Sequence, residues 1–117
     1  MIESDIYAKL KDLCANRVFP DFAPLSTAQP YVTYVQIGGE ALSRIGAGVH
    51  GLKHGRFQFD VWGSSRLQCS TLMLRVEEVL LNATNFQARA VGAARSSYDQ
   101  DSLIYASSQD FSIFSAR

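Results

Sequence analysis

Apolar residues recur at helical spacing in two segments of the chain. In the first segment, four apolar side chains share one face of a helix predicted over residues 3–15: Ile2, Ile6, Leu10 and Leu13. A second helix is predicted over Leu67–Leu81, where Ser64 or Ser65 supplies a side chain suited to the N-cap. The spacing therefore predicts two amphipathic helices, one near the N-terminus and one past the middle of the chain.

The second helix carries two apolar stripes rather than one. The broader stripe has six members: Cys69, Leu72, Met73, Val76, Val79 and Leu80. Leu67, Leu74 and Leu81 follow each other at intervals of seven and fall on nearly the opposite side. A helix that lies on a sheet needs only one apolar face. The second stripe is therefore expected to meet either the first helix or another subunit.

Alternation of apolar and polar residues predicts the strands. Tyr31–Gly38 is dense in β-branched and aromatic residues, and Arg56–Trp62 places Phe57 and Phe59 on one face and its polar side chains on the other. We interpret these two segments as a hairpin with a long glycine-rich tip over residues 39–55.

The remaining segments complete one small domain over residues 1–117. Prolines make residues 16–30 a connection with a short extended piece at Arg17–Phe19. Two more strands, Gln87–Arg95 and Leu103–Phe114, are predicted on either side of a polar turn at residues 96–101. The fold class is α+β in the order α-β-β-α-β-β, with a four-stranded, mostly antiparallel sheet and two helices on one face.

Composition and charge are those of a neutral globular protein. Lys and Arg together number 11, as do Asp and Glu, so bulk charge gives no reason to bind nucleic acid or an anionic membrane tightly. The apolar runs are too short for a transmembrane helix. Cys14 and Cys69 lie on the apolar sides of the two helices, which favours reduced core thiols over a disulfide or a metal pair.

Three motifs that could carry chemistry lack the context that the chemistry needs. Residues 46–51 match GxGxxG, but they precede a strand rather than a helix, so they do not predict a nucleotide site. His50 and His54 have no neighbouring carboxylate or thiol to complete a metal site, and Asp99 and Asp101 indicate a polar turn. We therefore expect no catalytic residues, no cofactor and no metal.

The glycine-rich segment is the candidate assembly loop. Its candidate contact residues are Arg44, Ile45, Val49, His50, Lys53 and His54. Together with Arg56, its basic side chains form either a solvated surface or a binding surface. A binding surface here would dock an acidic partner or make transient contact with phosphate groups. The density of glycine predicts that this loop is mobile in the isolated subunit and becomes ordered on assembly.

Two sequence blocks resemble one family of viral proteins. These blocks are Pro30-Tyr31-Val32-Thr33-Tyr34 and Arg56-Phe57-Gln58-Phe59-Asp60-Val61-Trp62-Gly63, separated by the glycine-rich loop and followed by an amphipathic helix. With Arg17-Val18-Phe19-Pro20 upstream, the pattern resembles the tail-completion family of tailed bacteriophages, which is related to tail-terminator and head–tail joining proteins. The resemblance covers nearly the whole chain.

The resemblance implies a structural protein rather than an enzyme. Its members are expected to form six-fold rings that cap the tail tube, stop its growth and meet the head connector, and the isolated subunit can be a monomer. The implied partners are copies of itself, the tail-tube protein and the head-completion or connector protein. The implied contact with DNA is only transient, and no membrane is involved. The implied location is the host cytoplasm during assembly and then the virion tail.

A binding module is the alternative interpretation of the sequence. In that reading, the sheet face that the helices leave open binds a small ligand or peptide through Tyr34, Arg56, Gln58 and Asp60. A tight site of this kind normally needs a concave apolar pocket, which the sequence does not indicate.

Overall fold

The computed structural model describes residues 2–39 and 52–116. Its elements, in chain order, are α1 (Ile2–Leu10), a 3₁₀ turn (Lys11–Leu13), β1 (Val18–Pro20), β2 (Tyr31–Gly38), β3 (Leu52–Gly63), α2 (Arg66–Leu81), β4 (Gln87–Asp99) and β5 (Ile104–Ala116). The α+β class is confirmed.

The sheet has five strands in the order β1-β2-β3-β5-β4, so the predicted count of four is wrong. The added strand is β1, which pairs parallel to β2 through Val18 opposite Val32 and makes the sheet mixed. Three residues ending in a proline give too short an alternation to identify a strand from sequence. The predicted hairpin of β2 and β3 is confirmed, with Tyr34 opposite Phe59.

One hydrophobic core lies between the helices and one face of the sheet. Alternate residues of β3 and β5 point into it, and Phe57, Phe59 and Phe111 are almost completely buried there. Phe59 and Phe111 meet edge to face, with ring centroids 5.5 Å apart. Trp62 faces the other way, where its Nε1 donates to Thr33 Oγ1 at 2.9 Å.

Helix α1 is shorter than its apolar spacing predicts. Ile6 and Leu10 are fully buried, as the stripe requires, but the α-helix ends at Leu10 and continues only as the 3₁₀ turn. Ala15 and Asn16 then adopt positive φ angles of 53° and 67°, which a continuing helix does not allow. Leu13 still packs against the core from this turn.

Helix α2 begins at a well-formed cap. Ser65 Oγ accepts a hydrogen bond from the Gln68 backbone N–H at 3.1 Å, and Gln68 Oε1 accepts one from the Ser64 N–H at 2.8 Å. Gly63 precedes this cap, and a Cβ there would lie 2.5 Å from Gln68 Oε1 and 3.0 Å from Cys69 Sγ. The absence of a side chain at this position lets the strand turn directly into the helix.

Strands β4 and β5 are longer than predicted. The residues expected to form a turn at 96–99 continue β4, and the turn itself lies at residues 100–103. A bulge interrupts the pairing with β5 between Val91 and Arg95, where Gly92 adopts a φ of 85°. The radius of gyration is 15.0 Å, above the ~13 Å expected for a compact domain of this length, because the long strands extend the chain to 51 Å.

Candidate assembly surfaces

The leucine stripe of α2 faces solvent. The exposed fractions of Leu67, Leu74 and Leu81 are 76%, 65% and 46%. The other apolar face of the same helix is buried in the core through Cys69, Leu72, Met73, Val76 and Leu80. The first helix is therefore not the partner of the stripe, and that alternative is wrong. Contact with another subunit stays a prediction.

A groove runs along one flank of α2. It has a volume of about 420 Å³ and separates the helix from the bulge of β4. Its lining residues include Met73, Leu74, Ala93 and Ala94. Leu74 of the exposed stripe thus borders a concave surface of mixed polarity, whose polar lining residues are Ser70, Glu77, Ser96, Ser107 and Gln109.

A buried polar contact fixes the far wall of this groove. Gln109 is 3% exposed, and its Nε2 donates to Glu77 Oε2 at 2.8 Å and to the Gly92 carbonyl at 3.2 Å. These two bonds tie α2, β5 and the β4 bulge together. Because Gln109 is buried, losing both bonds would leave its amide N–H groups without a partner, so these bonds stabilise the observed position of the groove wall.

A second exposed apolar pair lies on the loop between β1 and β2. Phe22 is 78% exposed and Leu25 is 98% exposed. The loop is ordered by backbone bonds from Asp21 N to the Tyr34 carbonyl at 2.8 Å and from Thr27 N to the Pro24 carbonyl at 3.2 Å. These two large, exposed apolar side chains form a small surface that a partner could cover. Sequence reasoning missed them, although large apolar residues between prolines were the available signal.

The candidate assembly loop is described only at its C-terminal end. Arg44, Ile45, Val49 and His50 lie outside the described residues, as does the glycine motif at 46–51. Lys53 and His54 belong to β3, so placing them in the loop is wrong. The alternation that identified this strand began only at Arg56, because Gly55 interrupts the pattern. The segment after the glycine motif is a strand, and the helix that a nucleotide fingerprint needs is therefore missing there.

Polar side chains cover the sheet face that the helices leave open. Gln58 Nε2 donates to both carboxylate oxygens of Asp60 at 3.1 and 3.2 Å, and Ser108 Oγ also donates to Asp60. His54 Nε2 lies 2.6 Å from Ser112 Oγ, and the imidazole stacks on Phe114 with centroids 4.4 Å apart. Side chains here largely bond to one another.

Tyr34 does not belong to this open face. It is 5% exposed and packs in the core against Phe59, with ring centroids 6.1 Å apart. The alternative hypothesis of a binding module therefore lacks the aromatic side chain that it placed on the open face. Arg56, Gln58 and Asp60 do lie on the open face, as that reading expected.

The described residues show little that could support catalysis. Both cysteines are free and buried, and burial raises the pKa of each thiol, so neither is an activated nucleophile. The side-chain bond from Ser102 lowers the pKa of Asp99, helped by the Asp101 backbone N–H, and this closes the polar turn expected there. Residues 2–39 and 52–116 contain no cluster of three potential metal ligands.

Membrane insertion by a helix finds no support in the described part of the chain, where neither helix has the length and hydrophobicity to cross a bilayer.

The comparisons with known proteins agree with the resemblance in the sequence. The family described as "Tail completion protein gp17" matches residues 5–115, which is nearly the whole chain. The search of curated proteins found no match to this chain. The chain belongs to this phage tail-completion family, and its role is that of a structural protein of the virion tail.

Proposed function

We propose that this tail-completion protein is a non-catalytic, ring-forming subunit that caps the tail tube and joins it to the head connector. The observation that carries the proposal is the solvent-facing stripe of Leu67, Leu74 and Leu81 on α2. Three leucines in line on an ordered helix are more apolar surface than a monomer needs to expose, and they suit a contact between subunits.

The size of the stripe predicts weak association of free subunits. Burying a leucine side chain contributes about 1.5–3 kcal/mol, so three partly exposed leucines supply roughly 3–6 kcal/mol. Association of two proteins costs about 4–15 kcal/mol in lost translational and rotational freedom. The stripe alone offsets at most the lower part of that range. A tail tube that holds several subunits side by side raises their effective concentration and completes the ring.

A closed ring also needs a second, different surface on each subunit, because its contacts run head to tail. Phe22 and Leu25 suit this surface, since their loop follows the edge strand β1. The leucine stripe lies on a different element, α2, which packs on β3, β5 and β4. Leu74 borders the β4 bulge, and Leu67 lies beside Leu13 and Pro30. Two separate apolar surfaces allow each copy to contact two neighbours.

We expect six copies in the ring, assembled in the host cytoplasm before the tail meets the head. The test is negative-stain microscopy of the protein mixed with tubes of its tail-tube protein. Rings at tube ends, and tubes that stop growing once the protein is added, are the expected result. Tubes that grow equally well with and without it, with bare ends, would contradict the proposal.

The double substitution Phe22→Ser and Leu25→Ser should remove ring formation and leave the subunit folded. Both side chains are mostly exposed, so their loss changes the free energy of unfolding by no more than about 0.5 kcal/mol. Ring formation on tail tubes and the melting temperature are measured together.

Leu103→Ser is the matched control for that double substitution. Leu103 is also exposed, at 69%, but it lies at the turn between β4 and β5 rather than on the loop after β1. The control should still form rings. Equal ring formation by the double variant and the wild type would show that Phe22 and Leu25 are not the second surface.

A further inference from the structure

We propose that Arg56, Arg89 and Arg95 form a binding site for the phosphodiester backbone of DNA on the open face of the sheet. The register places Arg56 of β3 and Arg89 of β4 on opposite sides of the same residue, Ser112 of β5. Neighbouring strands lie about 4.8 Å apart, so the two arginine backbones are roughly 10 Å apart with a hydroxyl between them. Two guanidinium groups that flank a small polar residue supply N–H donors from which a phosphate group can accept hydrogen bonds.

The arginines have capacity left for a ligand. No described carboxylate lies within ion-pairing distance of Arg89, which is exposed. The contact of Arg56 with Asp110 is long, at 3.9 Å, and the same carboxylate lies 3.4 Å from Arg95. A single carboxylate that is 16% exposed is thus shared between two arginine side chains that are 48% and 55% exposed, so each guanidinium group keeps N–H donors for a further acceptor.

A cleft beside Arg89 gives a ligand room. Its volume is about 380 Å³, and Gln87, Arg89, Ser112 and Phe114 are among its lining residues. Gln87 adds a neutral donor to the guanidinium group of Arg89, while the Ser112 hydroxyl is held by His54 Nε2 at 2.6 Å. The cleft lies on the edge strand β4, where an extended polyanion can reach it without displacing any strand.

The charges on this face suit a long, loosely held polyanion. Within the stretch of β5 from Ser108 to Ser112, the three arginines face two carboxylates, Asp60 and Asp110, which leaves a local excess of one positive charge. Asp99 shares this face but lies beyond the patch, at the end of β4. Arg56 and Arg89 lie level with Ser112 of β5, and Arg95 lies level with Ser108. These two serines are four residues apart on the strand, or roughly 13 Å. Duplex DNA carries a negative charge about every 1.7 Å, so several phosphates lie within that length. A small excess charge predicts weak, salt-sensitive contact that lets DNA move past.

The choice of DNA among polyanions rests on the proposed tail-completion role, and the test is the affinity of the isolated subunit for a labelled DNA duplex at low salt, about 20 mM. Arg89→Gln should lower the affinity at least about threefold, and it should reduce the slope of log affinity against log salt by about 0.9. Arg89→Lys should keep the slope, because the charge is kept.

The matched control is Arg66→Gln, which removes one exposed arginine from α2 on the other side of the sheet. This control should leave DNA affinity unchanged, and melting curves check that every variant is folded. Three results would overturn the inference: no binding by the wild type at that salt, equal affinity of Arg89→Gln and the wild type, or an equal loss in Arg66→Gln.

Inorganic phosphate separates a strand-binding surface from a pocket for one phosphate group. At equal ionic strength it should displace DNA no better than chloride does, and markedly stronger displacement would overturn the choice of DNA. Ring formation on tail tubes is scored separately. Rings without DNA binding would refute this inference alone, and DNA binding without rings would refute only the ring.

Discussion

Leu74→Arg should abolish ring formation on tail tubes and leave the melting temperature of the isolated subunit nearly unchanged. Leu74 is 65% exposed at the centre of the leucine stripe, so an arginine there stays hydrated in the free subunit. In a subunit contact, the same charge would be buried without a partner, which costs several kcal/mol. That penalty is comparable to the roughly 3–6 kcal/mol that the stripe contributes to association, and it adds to the loss of the apolar contact of Leu74 itself. Melting curves and microscopy of tail tubes measure the two effects.

Leu80→Arg is the matched control from the other face of the same helix. Leu80 is fully buried, so this charge enters the core and should unfold much of the protein, given a total stability of about 5–15 kcal/mol. The pair of variants separates a surface leucine from a core leucine by position alone. A Leu74→Arg subunit that is stable and still forms rings would show that the stripe is not the interface.

Phe59→Ala should lower the free energy of unfolding by about 3–5 kcal/mol, the largest loss of stability expected from a single truncation here. Phe59 is fully buried at the centre of the core and packs against Tyr34, Phe57 and Phe111. The cavity left by the ring cannot collapse easily, because a sheet backbone and three other rings surround it. The corresponding fall in melting temperature is roughly 12–20 °C.

Phe22→Ala is the control for that truncation. It removes the same ring from a side chain that is 78% exposed, so the free energy of unfolding should change by no more than about 0.5 kcal/mol. Urea denaturation of the two variants beside the wild type provides the comparison. Similar losses in both would mean that the burial of Phe59 does not govern its contribution.

Periodicity predicted the elements whose burial is one-sided. Helix α2 and the β2–β3 hairpin each present one face to a single core, so their apolar residues repeat regularly. The end of β4 was missed because residues 92–99 are exposed on both faces and carry no alternation. Their strand conformation comes from pairing with β5, which is a long-range property. Turn-forming serines and aspartates in that segment favoured a turn instead.

The candidate surfaces likewise divide into those that local spacing predicts and those that depend on long-range strand pairing. Geometry on a helical wheel is local, and it correctly placed Leu74 opposite the core. The face on which Tyr34 lies depends on its register with β3, which local spacing does not determine. Arg56 and Arg89 come together across β5 although they are 33 positions apart in sequence. No spacing rule connects them.

The bulge in β4 has a consequence for solubility. A long edge strand offers free backbone groups to which another chain can add, and this is a common route to aggregation. Here the bulge between Val91 and Arg95 bends that edge, and Arg89 and Arg95 place charges on either side of it. An incoming strand could therefore form only a few consecutive hydrogen bonds before the register fails. The bulged and charged edge of β4 therefore disfavours edge-to-edge aggregation of the free subunit.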